Sequence, residues 1–187
     1  MLRALAGLGC AILILLAAPC AAQSQLASSD GGMISREYPL KALFLYNFGG
    51  YVEWPAETFV TADQPFVIGI LGNAPLDDTL RELAQTKKVA GRRIVVEQFP
   101  SVDSVRACQI LFIARDVSPQ HERQVLASLQ SQPVLLVGES PGFASRGGCV
   151  NFYIEANKIR FEINIEAARQ QHLRISSKLL ALARIVQ

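Results

Sequence analysis

The sequence has few of the residues that metal and nucleotide sites require. It contains two histidines, His121 and His172, and neither belongs to an H-E-x-x-H motif. Its four cysteines include no C-x-x-C pair. A Walker loop and a G-x-G-x-x-G turn are also missing. We therefore expect neither a metal nor a cofactor.

A charge pattern suited to nucleic acid is missing as well. The formal net charge is +2, and no run of Lys and Arg is interleaved with aromatic residues. After the first 22 residues, no segment reaches the ~18 uninterrupted apolar residues that a spanning helix needs. We expect no nucleic-acid partner and no membrane insertion of the mature chain.

The amino terminus is typical of a secretory signal peptide. Arg3 is followed by a continuous apolar stretch, then by Pro19 and the small residues Cys20, Ala21 and Ala22. The alternative is a membrane anchor, but the stretch is short for one. We predict cleavage after Ala22, a disordered polar leader at 23–33, and one domain at 34–187. Half of the 187 residues are hydrophobic, which is enough for one core.

Strand and helix patterns alternate through the first two thirds of the domain. Ser35 can cap a first helix that ends near Tyr51, with Pro39 in its first turn. The pattern then predicts strands at 66–71, 94–99, 110–114 and 134–137, and helices at 77–85 and 119–130. Such alternation favours a largely parallel sheet that is covered by helices on both faces.

The pattern changes after the fourth strand. Residues 138–148 contain no helix pattern, and a parallel return normally needs ~12 or more residues. We therefore predict that the strand at 149–154 is antiparallel to its predecessor. It forms a hairpin with 158–164, and two helices follow at 165–171 and 176–186. The fold class is α/β, a three-layer mixed sheet of mostly parallel strands with an antiparallel C-terminal hairpin.

The first helix carries an apolar stripe that is expected to face the core. Leu40, Leu43, Phe44, Phe48 and Tyr51 recur at helical spacing, so Phe44, Phe48 and Tyr51 are predicted to be buried. Asn47 interrupts the stripe, either as a hydrogen-bonded structural residue or as a contact to a ligand.

Ser140 lies in G-E-S-P-G, which matches the G-x-S-x-G nucleophile elbow. That motif requires a helix directly after the turn, whereas a Gly-rich loop follows here, and only His172 could complete a triad. A structural turn is the preferred interpretation, and an esterase is the less favoured one.

Cys108 and Cys149 remain after the signal peptide is removed, in a compartment that permits disulfides. Cys108 precedes a parallel strand, and Cys149 opens the strand predicted to be antiparallel. The two should then lie at opposite ends of the sheet, ~16 Å apart, whereas a disulfide needs Cα atoms within ~7 Å. We predict two buried free thiols.

Seven segments of the domain stand out as motifs. They are KALFLYNF at 41–48, VEWP at 52–55, ILG at 70–72, VGESPGF at 137–143, RGG at 146–148, RFEIN at 160–164 and LRISSKLL at 173–180. Together, in this order and at this spacing, they resemble the YfiR family of periplasmic proteins. The resemblance implies a non-enzymatic repressor that binds the periplasmic sensor region of an inner-membrane diguanylate cyclase and holds it inactive. It thereby lowers cyclic di-GMP and biofilm formation. Some members carry four mature cysteines, whereas this chain has two.

The predicted binding surface combines the polar face of the hairpin with the segment that resembles the family most densely. Its members are Tyr153, Arg160, Glu162, Asn164, Arg174, Ser176 and Lys178. The alternative for the hairpin is an ordinary solvated face. The alternative for the whole protein is a periplasmic small-ligand-binding or sensor module without a cyclase partner. A homodimer is left open.

Overall fold

A mixed sheet of eight strands forms the centre of residues 30–187, the part of the chain that the computed structural model describes. The predicted signal peptide and residues 23–29 of the predicted leader lie outside the described residues. The elements in chain order are α1 (Asp30–Tyr51), β1 (Val52–Glu53), β2 (Phe66–Leu71), α2 (Asp77–Thr86), β3 (Lys88–Val89), β4 (Arg92–Phe99), β5 (Ile110–Ile113), α3 (Pro119–Ser128), β6 (Leu135–Gly138), β7 (Val150–Glu155), β8 (Lys158–Asn164), α4 (Ile165–Gln170), β9 (Arg174–Ile175), α5 (Ser177–Leu180) and β10 (Arg184–Val186).

The strand order is β10-β8-β7-β6-β5-β2-β4-β3, and the strands from β7 to β4 are parallel. The connection through α2 leads from β2 to one side, and that through α3 leads from β5 to the other. Right-handed crossovers in opposite directions place their helices on opposite faces of the sheet. Helix α1 packs beside α2. The predicted α/β class with helices on both faces is therefore confirmed.

The first helix differs from the prediction in its start and in its buried side. It begins at Asp30 rather than Ser35, so Pro39 lies in its interior. Leu40, Leu43 and Tyr51 are 46%, 41% and 41% exposed, which contradicts the predicted burial of Tyr51.

The buried side of α1 is a different stripe, formed by Glu37, Lys41, Leu45 and Phe48. These residues have helical spacing, but the first two are charged, and charged residues are rarely buried without partners. The apolar pattern alone therefore selected a neighbouring stripe. Phe48 belongs to the core as predicted, whereas Phe44 is only partly buried.

Strand β7 runs parallel to β6, with Val137 opposite Val150, so the predicted antiparallel direction is wrong. The connection contains only one 3-10 turn, Ala144–Arg146. It returns the chain as a short crossover because it wraps around the fully buried ring of Phe143. The hairpin of β7 and β8 is antiparallel as predicted.

The carboxyl-terminal segment forms one short helix and a strand, not the single helix predicted at 176–186. After α5, strand β10 pairs in parallel with β8, with Arg184 opposite Glu162. This pairing satisfies the outer edge of β8, which a helix would leave open. Strands β9 and β1 pair separately at the end of α1, with Val52 opposite Ile175.

Candidate functional site

The hairpin carries two of the predicted surface residues on adjacent strands. Tyr153 on β7 lies opposite Arg160 on β8; Tyr153 is half-buried and Arg160 is exposed. The guanidinium carbon of Arg184 lies 4.3 Å from the centre of the Tyr153 ring, which suits a cation–π contact. Tyr153 and Arg160 therefore form an accessible polar pair beside an anchored arginine.

Glu162 and Asn164 are buried, which contradicts their predicted place on an exposed surface. Asn151 Nδ2 donates to Glu162 Oε1 at 3.0 Å, and the Arg184 guanidinium pairs with Glu162 Oε2. Asn164 caps α4 by accepting the Ala167 N–H at 2.9 Å. Both side chains hold neighbouring segments together, because the loop at 138–148 and strand β10 cover this end of the hairpin.

Arg174, Ser176 and Lys178 lie on a different part of the molecule from Tyr153 and Arg160. Arg174 belongs to β9, and Ser176 caps α5 while its own N–H donates to the carbonyl of Tyr51 at 2.9 Å. This segment is joined to the end of α1, and α1 covers the apolar face of the hairpin. The predicted surface is therefore divided between two faces.

Sequence reasoning missed a cluster of charges, three of them buried and one exposed, at the carboxyl ends of β5 and β6. We call Glu37, Lys41, Arg115 and Glu139 the charge cluster. The Lys41 ammonium is 2% exposed and pairs with Glu37 and Glu139. Arg115 Nη2 lies 2.9 Å from Glu37 Oε1 and 3.3 Å from Glu139 Oε2. The two cations and two carboxylates compensate one another, which is what burial of charges requires.

The environment of Tyr38 reflects the same cluster. Its hydroxyl donates to Glu139 Oε1 at 3.4 Å. Burial, and then the negative charge of Glu139, raise the pKa of Tyr38 above its usual value. The i,i+4 spacing of Glu37 and Lys41 was the one signal for this cluster in the sequence. Their meeting with Arg115 and Glu139 depends on where β5 and β6 end.

A pocket of about 350 Å³ opens directly beside the charge cluster. Lys41, Arg115, Glu139 and Pro141 line one part, and residues 151–154 of β7 line the rest. Asn151 is 3% exposed, and its Oδ1 has no hydrogen-bond partner among the described residues. We call this pocket the sheet notch.

A second pocket, of about 310 Å³, lies at the carboxyl ends of β2, β4 and β5. Gly72, Ser101, Asp116 and His121 are among the residues that line it. The chain order reverses between β2 and β5, and ligands of open α/β sheets commonly bind at such a reversal. We call it the reversal pocket.

The contacts of Ser140 indicate a structural turn. Its hydroxyl donates to Glu122, a buried carboxylate that also accepts from Arg146 Nε at 2.8 Å. Arg146 Nη1 donates to the carbonyl of Pro141 at 2.6 Å and so closes the turn. His172 is exposed after α4 and is not a hydrogen-bond partner of Ser140 in the described residues. The hydroxyl therefore joins α3 to the loop.

Cys108 and Cys149 are buried free thiols in the structure. The predicted reason, that the two cysteines lie at opposite ends of the sheet, was wrong, because β7 is parallel to β6. The Cys149 N–H donates to the carbonyl of Leu136, which pairs with Leu111. Cys149 is therefore level with Leu111, two strands away, and Cys108 lies three residues before Leu111 along β5. With ~4.8 Å between strands and ~3.3 Å per residue, the two cysteines are about 14 Å apart. Burial raises the pKa of Cys108 and of Cys149 to about 12.

The described residues contain neither a spanning helix nor a group of metal ligands. No helix from residue 30 onward is long and apolar enough to cross a bilayer. Over the same residues, no three side chains of His, Cys, Asp or Glu are grouped to hold a metal ion.

Comparison with protein families identifies one relationship. The sequence model described as YfiR/HmsC-like matches residues 38–184, from the third turn of α1 into β10. The match includes the charge cluster except Glu37, the sheet notch, the hairpin and the loop at 138–148.

Proposed function

Because the chain belongs to the YfiR/HmsC-like family, we propose that it is a periplasmic repressor of an inner-membrane diguanylate cyclase. It binds the periplasmic sensor region of the cyclase and holds the enzyme inactive. Cyclic di-GMP then falls, and biofilm formation falls with it. The family match over residues 38–184 is the observation that carries this proposal.

The repressor acts by linkage. A protein that binds the inactive conformation of a receptor more tightly than the active one shifts the receptor towards the inactive state. This mechanism needs a stable surface and no catalytic group. The structural role of Ser140 supports a binding function, since its hydroxyl is engaged by Glu122 and Arg146.

The exposed members of the predicted surface are the first candidates for contact with the cyclase. Tyr153 and Arg160 form one polar patch, and a second consists of the exposed Arg174 on β9 and the exposed Lys178 on α5, close to it in sequence. Glu162 holds Arg184, which lies over the Tyr153 ring of the first patch. An interface that used both patches would have to reach around the edge of the hairpin.

Complementation in cells tests the proposal. Deletion of the gene should raise cyclic di-GMP and biofilm, and the full chain should restore both to their original levels. A chain that begins at Gln23 is the matched control, because without the predicted signal peptide it should stay in the cytoplasm and fail to repress. Unchanged cyclic di-GMP after deletion, or full repression by the control, would contradict a periplasmic repressor.

The reversal pocket favours a second candidate, a periplasmic small-ligand sensor without a cyclase partner. Its volume of about 310 Å³ is at the lower end of the range of ligand sites. If this candidate is correct, His121→Trp should fill the pocket and abolish ligand-dependent changes in melting temperature. Repression of the cyclase would then be absent in the wild type too.

A further inference from the structure

Strand β7 continues beyond the end of its neighbour β6. The ladder between the two strands includes Val150 and Asn151 and stops where β6 ends at Gly138. The ladder with β8 continues through residues 152–155. Alternate residues of a strand point their N–H and C=O groups to opposite edges. Half of the backbone groups at 152–155 therefore face an edge with no strand partner among the described residues.

The sheet notch occupies the position in the sheet that a strand beside this edge would take. It lies above the end of β6, with Glu139 at its base, Arg115 on the side of β5 and residues 152–154 on the side of β7. Its volume of about 350 Å³ is enough for a few residues of extended chain.

Two side chains in the sheet notch could also contact an incoming chain. Asn151 Oδ1 is a buried acceptor without a donor, although the Nδ2 of the same amide is bound to Glu162. Buried polar atoms are normally hydrogen-bonded, so this oxygen suits a donor from an incoming chain. Ile154 is 47% exposed and lies where the apolar side of an added strand would pass.

We infer that the sheet notch receives an extended segment of the regulated partner, which pairs with residues 152–155 as an added strand. The inference rests on the proposed function and specifies how the partner is held. Strand addition uses main-chain hydrogen bonds for affinity and alternate side chains for specificity.

The chemistry of the sheet notch limits the incoming segment. It must lack proline where it pairs, because proline cannot donate to the ladder. Its side chains on the α1 face should be apolar, since Phe152 and Ile154 lie on that face. On the opposite face, Arg160 has no ion-pair partner among the described residues, so an acidic side chain is preferred there.

A matched pair of substitutions tests the inference. Ile154→Lys places a charge in the sheet notch, and Ile185→Lys places the same charge on β10 at a position with nearly equal exposure, 46%. The probe is the purified periplasmic sensor region of the cyclase. Ile154→Lys should weaken its binding by about tenfold or more, as loss of a central contact does. Ile185→Lys should bind as the wild type does, and both variants should melt as it does.

Hydrogen exchange distinguishes strand addition from ordinary side-chain docking. The backbone amides at 152–155 that point away from β8 should exchange rapidly in the free protein and slowly in the complex. Slow exchange in the free protein would overturn strand addition in the sheet notch, and so would binding by the wild type that Ile154→Lys does not reduce. Neither result would contradict the proposal that the chain is a repressor. Strand addition would also be overturned if the same amides at 152–155 exchanged slowly when a small molecule, and not the sensor region, was bound. Failure of the wild type to bind the sensor region would overturn both proposals.

Discussion

At the scale of single residues, the paired ammonium of Lys41 allows a charged side of α1 to face the sheet. Apolar periodicity selects the stripe through Leu40 and Tyr51, yet both are more than 40% exposed. Lys41 is buried because Glu37 and Glu139 compensate its charge and Phe152 lies 5.9 Å from it. A buried ion pair is costly to break from one side only, since the remaining charges lose their compensation.

Lys41→Met should therefore lower the free energy of unfolding by about 3–5 kcal/mol. Arg115→Met is the matched control. It also removes a cation from the charge cluster, but the Arg115 side chain is 56% exposed. It should cost about 1 kcal/mol, since solvent screens that pair. Urea unfolding of both variants measures the difference. A larger cost for Arg115→Met would show that Lys41 is not the central charge.

The two thiols make a second prediction at this scale. Burial raises the pKa of Cys108 and Cys149 from 9.0 to about 12, so the folded state favours the protonated thiols. Below pH 9 both folded and unfolded thiols are protonated, and the stability that the thiols contribute is fully present. As the pH rises from 9 towards 12, only the unfolded thiols ionise, and each lowers stability by about 1.4 kcal/mol per pH unit.

Urea unfolding of the reduced protein at several pH values between 8 and 11 measures this slope. Cys149→Ala should be less stable than the wild type at pH 8, because it leaves a cavity. Its stability should nevertheless fall less steeply with pH, by about 1.4 kcal/mol per unit. Equal slopes in the two proteins would show that Cys149 ionises as readily in the folded state as in the unfolded state.

At the scale of elements, the loop at 138–148 lets β7 return parallel to β6 without a helix. Phe143 fills the space that a crossover helix would occupy, and its ring lies against glycines at both ends of the loop. A Cβ added to Gly138 or to Gly148 would lie 2.6 Å or 2.0 Å from that ring. The two glycines and Phe143 are thus one packing unit.

Gly148→Ala should destabilise the protein by about 1–3 kcal/mol through overpacking. Gly50→Ala is the control, since its Cβ would have no atom within 4 Å and Ala favours the helix by about 0.5–1 kcal/mol. Adding Phe143→Leu to Gly148→Ala should recover part of the loss. Thermal melting decides this, and a Gly148→Ala variant as stable as the wild type would contradict the packing.

The strands also differ in how far the sequence alone predicts them. Strand β2 was predicted to the residue, because a buried parallel strand reads as one apolar run between turns. The direction of β7 was missed because the rule for crossovers counts residues and does not foresee one aromatic ring replacing a helix. Strand β10 was missed because Arg184 joins the sheet through Glu162, a partner 22 residues away.

The candidate site was predictable only in part, for the same reason. Alternation along the hairpin identified Tyr153 and Arg160 as an accessible pair, the first half-buried and the second exposed. It could not identify Glu162 and Asn164 as buried, because the segments that cover them come from elsewhere in the chain. The sheet notch depends on β6 being shorter than β7, and that difference appears only once the register is known.

At the scale of the whole molecule, the described residues form an α/β domain whose sheet leaves one place open beside β7. The charge cluster closes the base of this place, and α1 covers its apolar side. A partner that added a strand there would be held by the same sheet that forms the core. Tighter binding of one conformation of a cyclase at this place would shift the cyclase towards that conformation.

Titration of the cyclase with the purified mature chain tests the central claim most directly. Membrane vesicles that contain the cyclase, with its sensor region accessible, convert GTP to cyclic di-GMP at a measurable rate. This rate should fall saturably as the chain is added, and Ile154→Lys should shift the midpoint to higher concentration while Ile185→Lys should not. A rate that stays constant at every concentration of the wild-type chain would show that the chain does not repress the cyclase.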